Sequence, residues 1–110
     1  MGVAALPGTA RQEVLPKLRE CFLSLRAMGS VLETQLSNVN LVVHAPVLLR
    51  NTGWAESKEG FEFYHEGSSP SVGKILEAVD RERVAVGKGL GLELLPMRDW
   101  EIKVYGHQGA

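Results

Sequence analysis

The sequence predicts a mainly α-helical fold that leaves room for one short strand or hairpin. Three observations carry this. Apolar residues recur every three or four positions in most of the chain, whereas only the β-like apolar run GVAALPG and the alternating run FEFYHEG read as extended. A Ser-Pro pair and a cluster of glycines bracket one such stretch as start and stop signals bracket a helix.

The elements follow in order. GVAALPG is β-like and ends in a Pro-Gly turn signal, too short to form a sheet alone. In TARQEVLPKLRECFLSL, Thr9 and Gln12 stand at capping-box spacing, and Val14, Leu15, Leu18, Cys21, Phe22 and Leu25 share a stripe, so one helix is expected, bent or restarted at Pro16. After the break AMGS, the run VLETQLSNVNLVVHAPVLLRN predicts a second, longer helix whose apolar face holds Leu32, Leu36, Val39, Val43 and Val47. TGWAESKEG reads as loop and FEFYHEG as a short strand or extended lid. Ser69 as N-cap with Pro70 at the first helical position opens a third helix. Its expected buried stripe is Val72, Ile75, Leu76, Val79 and Val86, with Glu77–Arg81 and Asp80–Arg83 pairing on the solvated side, and Gly89 or Gly91 closes it. A last amphipathic piece follows in LPMRDWEIKVYGHQGA. The whole chain, 1–110, is expected to be a single helical domain.

Composition limits function. Twelve Lys and Arg against thirteen Asp and Glu give a net charge of −1, without a basic block, so neither nucleic acid nor an anionic membrane is an expected partner. The single cysteine, Cys21, rules out an internal disulfide and paired-cysteine metal sites, which makes the cytoplasm the default compartment. No apolar run reaches the roughly 18–20 residues of a membrane span.

Chemistry concentrates in SNVNLVVHAP. Steps of three and four link Leu36, Asn40, His44, Leu48 and Asn51 into one stripe, so polar side chains line up in an otherwise apolar run. A buried polar group without a partner costs about 1–3 kcal/mol. Pro46 has no N–H, which takes the helical donor from the carbonyl of Val42 and bends the backbone within a turn of His44. An imidazole so placed suits a general acid or base near neutral pH. The same pattern also fits a core histidine bonded to a local carbonyl, and an Asn40 that satisfies a neighbouring helix end. GKGLG, residues 87–91, is read as a helix end and not as a phosphate loop, because a phosphate loop must open a helix. His65 and His107 lack acidic or cysteine partners at ligand spacing, so no metal is expected. Trp54, Phe61, Phe63 and Tyr64 wall a pocket or fill the core, and DRER is read as a solvated helix face.

The stretch SVLETQLSNVNLVVHAPVLLRNTG followed by FEFYHEGSSPSVGKILEAVDRERVAVGKGLGL resembles the C-terminal domain of the NAD(P)-dependent octopine/nopaline (opine) dehydrogenase family. The element N-x-x-x-H-x-P, the following Asn-x-Gly, FYxEG, the Ser-Pro start and D-x-E-R occur in the family's order. The resemblance implies a helical domain of the 6-phosphogluconate dehydrogenase C-terminal type. It also implies a partner Rossmann domain for NAD or NADP, of which residues 1–8 would be the end. The implied reaction is reductive condensation of an amino acid with a 2-oxo acid, with His44 as catalytic acid/base and Asn40 as a substrate or histidine contact.

Departures accompany the likeness. Ala45 stands where the family usually has a second proline, and no G-x-G-x-x-G exists in the 110 residues. A later family motif, in which an Arg and an Asp bind a carboxylate and orient the histidine, is not found here. The expectation is therefore a substrate-domain fragment of an oxidoreductase, inactive alone, that binds no nicotinamide cofactor by itself. It is also expected to associate as a homodimer through the face of Val39, Val43 and Val47 and the Met97–Trp100–Tyr105 segment. The alternative is a non-enzymatic helical dimerisation or binding module derived from a truncated gene.

Overall fold

A computed structural model describes residues 1–105, with the side chains of the last two left aside. Contacts divide the chain into two compact units, with the boundary between Asn38 and Val39.

The first unit begins with β1 (Gly2–Val3), passes through a 3₁₀ turn at Gly8–Ala10 into α1 (Arg11–Arg19), and continues through β2 (Arg26–Ala27) to α2 (Val31–Leu36). β1 and β2 form a two-stranded parallel ladder, Gly2 opposite Arg26 and Val3 opposite Ala27. The amides of Arg26 and Met28 donate to the carbonyls of Met1 and Val3, each at 2.8 Å. The expected opening β-run is thus present. Its partner strand lies just past the segment in which the first helix was expected to continue to Leu25.

That helix stops at Arg19. The Arg19 guanidinium reaches forward to the carbonyl of Leu25 at 3.2 Å and anchors the chain as it leaves the helix. Leu15 and Leu25 are buried, but Phe22 and Leu23 are exposed, so the apolar stripe read across the whole segment was never one helical face. Thr9 does not cap; the cap position is Ala10, without a side-chain bond. α2 has the side-chain cap instead. Ser30 Oγ accepts from the amide of Glu33 at 3.2 Å, and the Glu33 carboxylate accepts from the amide of Gly29 at 2.8 Å, a near-reciprocal capping arrangement.

The second unit holds α3 (Asn40–Arg50), α4 (Thr52–Ala55), α5 (Pro70–Gly89) and α6 (Met97–Tyr105). The predicted long helix of 31–51 is two helices, interrupted at 37–39, where Ser37 and Asn38 close α2 through bonds to Glu33 and Gln35. Ser and Asn side chains compete with the helical backbone for hydrogen bonds, which makes this pair a natural break. α3 packs on α5, and Val47, Val72 and Leu76 form a buried cluster against which Val43, Phe63 and Met97 rest. Val39 and Val42 are buried as well.

α5 starts as predicted, with Ser69 Oγ accepting from the amide of Val72 and Pro70 in the first turn. Its end is a Schellman motif: Leu92 N–H donates to Gly87 C=O at 2.8 Å, Gly91 N–H to Lys88 C=O at 3.0 Å, and Gly91 takes a φ of +76°. Two expectations about its faces need correction. Val86 is exposed, and the buried line continues through Asp80, Arg83 and Gly87. In DRER, therefore, only Arg81 and Glu82 are solvated. Asp80 and Arg83 do pair, at 2.8 Å, but beneath the start of α6. There Asp80 Oδ2 accepts from the amide of Met97 at 2.7 Å, and Arg83 donates to the carbonyl of Leu95 at 2.6 Å.

FEFYHEG forms no strand. Residues 63–66 are a turn closed by the amides of Glu66 and Gly67 on the carbonyl of Glu62. His107 lies outside the described residues. No described helix is long and apolar enough to cross a membrane.

Candidate active site around His44

Asn40 and His44 both belong to α3, one turn apart, about 6 Å along the axis. α3 runs on through Pro46 to Arg50. Both side chains lie on the exposed side of the helix, while Val42 and Val47 take its buried side. His44 is therefore not a core histidine tied to a backbone carbonyl. Its Nε2 sits 2.9 Å from the hydroxyl of Tyr64, and the Phe63 ring meets it edge-on at 5.6 Å between centroids.

The turn that brings Phe63 and Tyr64 to the histidine is anchored to α3 itself. Asn51 ends that helix and donates from Nδ2 to the carbonyls of Val47 at 2.8 Å and Gly67 at 2.9 Å. One amide thus satisfies a terminal carbonyl of α3 and fastens the far end of the turn. Gly67 is buried where a side chain would meet Val47 Cγ1 at 3.0 Å, so the end of the turn lies directly on α3. Phe63 packs into the Val47 cluster from above and touches the imidazole with its other side.

Beside Phe63 lies an open cavity of about 430 Å³ walled by Leu48, Ala55, Phe61 and Phe63, with Lys58 and Glu59 at its rim. Trp54 stacks on Phe61 with ring centroids 4.7 Å apart. Of the four aromatics expected to wall a pocket or fill the core, Phe61 and Phe63 line the cavity and Phe63 also packs against the core, whereas Trp54 and Tyr64 are exposed and do neither.

His65 is exposed on the same turn. Among the described residues, no group of three or more His, Cys, Asp or Glu side chains could hold a metal ion. Gly87 to Gly91 do not fit a dinucleotide. They are the carboxyl end of α5, which presents carbonyls capped by its own chain and the negative end of the helix dipole, the wrong polarity for a pyrophosphate.

His44 and Asn40 are the residues sequence patterns single out, and they share one face. Phe63, Tyr64 and Asn51 complete the surroundings. The first two were read as wall or core, and Asn51 only as a member of the polar stripe. The signal that could have found them was the pairing of a C-terminal asparagine with a glycine sixteen residues later, which no periodicity reveals.

The fold and the site thus define a helical domain that displays a histidine beside two aromatic rings at the surface of one helix. Residues 27–110 match the alpha-helical domain of the NAD/NADP octopine/nopaline dehydrogenases. Over all 110 residues the chain is 36% identical to an opine dehydrogenase of Arthrobacter sp. (strain 1C), and it spans 31% of that relative's length. The chain belongs to the octopine/nopaline dehydrogenase family.

Proposed function

We propose that this chain supplies the substrate-handling helical part of an opine dehydrogenase, which joins the amino group of an amino acid to a 2-oxo acid and reduces the product with NADH or NADPH. Family membership supports the reaction class. The observation that carries the role of this chain is His44: its imidazole stands at the surface of α3, with Asn40 one turn away.

His44 serves the half of the reaction that needs no hydride. When the amine nitrogen attacks the keto carbon, a C–N bond forms, and the proton lost by nitrogen must reach oxygen. A second proton then lets that oxygen leave as water, and the C=N bond forms. An imidazole near neutrality can take the first proton and give the second. Asn40, with an amide that both donates and accepts, contacts the substrate from the same face. The nicotinamide is held by a dinucleotide-binding unit outside these residues, since the glycines here have the wrong polarity.

Assay of the protein encoded by its own gene, with each nicotinamide cofactor and a panel of amino acids and 2-oxo acids, tests this. His44→Gln lowers kcat by about 10²–10⁴-fold, the usual contribution of acid–base catalysis. Unchanged turnover in that variant would sink the assignment. The 110 residues alone give no saturable heat when titrated with NADH or NADPH, and tight binding would place a cofactor site within them.

A further inference from the structure

We propose that Tyr64 is the positioning residue of His44: its hydroxyl donates to Nε2, holds the ring at one rotation and places the neutral ring's proton on Nδ1. The inference rests on the acid–base reading of His44 for its consequence, though not for its geometry.

Three observations support it. The Tyr64 oxygen lies 2.9 Å from Nε2, a normal hydrogen-bond length, and the two rings meet at a tilt with centroids 6.1 Å apart. Tyr64 is 66% exposed, so burial does not account for its position. Its neighbours do: Phe63 stands edge-on both to Tyr64 at 5.1 Å and to His44 at 5.6 Å, and so wedges the pair from one side. The turn carrying both rings is tied back to α3 by the Asn51 amide on Gly67. Histidine, turn and clamp thus all refer to one helix, an arrangement that fixes an imidazole more tightly than a loop contact alone would.

The direction of the bond follows from chemistry. A phenol is a good donor and an imidazole nitrogen a better acceptor than a phenol oxygen, so O–H to Nε2 is the favoured sense. The neutral ring then carries its proton on Nδ1, the reverse of the tautomer that histidine prefers in water. The bond holds the resting ring with Nε2 as its basic nitrogen, and the amine displaces the phenol there when it gives up its proton, so the ring is aligned before the substrate arrives, which is the benefit of preorganising a proton-transfer group.

Nitrogen-15 NMR of the histidine rings in the 110-residue chain, at a pH where they are neutral, tests the geometry. His44 is expected as the Nδ1–H form, reverting in Tyr64→Phe to the Nε2–H form that the exposed His65 shows in both proteins. The phenylalanine keeps the ring contacts and removes the hydroxyl alone. An unchanged His44 signal in Tyr64→Phe, or an Nε2–H ring in the unmodified chain, overturns the proposal. In turnover assays Tyr64→Phe is expected to lower kcat about tenfold or more with little change in KM, as for a group that acts through the acid–base residue. Full turnover in Tyr64→Phe, where His44→Gln abolishes it, would refute the positioning role and leave the acid–base reading intact. Full turnover in His44→Gln would remove both.

Discussion

Gly67 is the tightest point under the turn that carries Tyr64. A Cβ there would meet the carbonyl oxygen of Phe63, with Val47 Cγ1 at 3.0 Å and Phe61 Cε2 at 3.2 Å. The first of these is the turn's own backbone and the second a side chain of α3, so relief requires the turn both to open and to lift from α3. Gly67→Ala should cost about 1–3 kcal/mol, typical of overpacking. It should also loosen the bond from Asn51, whose acceptor is the Gly67 carbonyl. Gly73 is the contrast: it lies within α5, where a methyl group in place of its hydrogen would meet open space, and Gly73→Ala should stabilise by about 0.5–1 kcal/mol through helix propensity and a less flexible unfolded chain. Urea unfolding of the two variants checks the pair. Equal effects would mean that the turn does not rest on α3.

Among elements, the junction of α5 with α6 depends on one buried ion pair. The Asp80 and Arg83 side chains are 10% and 6% exposed, and each has a second task, Asp80 on the first amide of α6 and Arg83 on the carbonyl of Leu95. Such a pair contributes modestly in total, because desolvation offsets the attraction, but removing one member strands the other. Asp80→Ala should therefore destabilise by about 3–5 kcal/mol, while the double change Asp80→Leu with Arg83→Met should cost much less. Denaturant midpoints decide it. A single variant no worse than the double one would show that Arg83 finds another partner. Gly87, one turn further along the same line, is buried against Leu94, which brings the segment before α6 close to α5.

For the whole molecule, only part of the apolar surface expected to seek a partner is covered: Val43, Met97 and Trp100 are half-buried, and the side chain of Tyr105 lies outside the described residues. Val39 and Val47 are buried within the second unit, whereas Leu41, Leu48 and Leu49 on the other side of α3 are 61%, 50% and 73% exposed. Homodimer formation, if it follows the exposed apolar surface, uses these leucines, since burying apolar area gives about 25 cal/mol per Å². Light scattering at micromolar concentration should give a mass above one chain, returning to that of one chain in Leu41→Glu/Leu49→Glu. A monomer at all concentrations would end the dimer reading.

Much of this was legible from local signals. Helical periodicity, the Ser69–Pro70 start and the Gly91 end specify α5 almost to the residue, because capping and left-handed glycine depend only on neighbours in sequence. The four-residue step from Asn40 to His44 placed the two on one helical face for the same reason. Tertiary structure decided the rest. Periodicity gave Asp80 and Arg83 their mutual spacing, but only the arrival of α6 buries them. The stripe of α1 was read through to Leu25, yet a parallel partner strand claims Arg26 and Ala27. Tyr64 meets His44 across twenty residues because Asn51 fastens the intervening turn, a contact between groups far apart in sequence. Local chemistry determines which segments become helices; which of their faces are covered depends on partners that no short window of sequence contains.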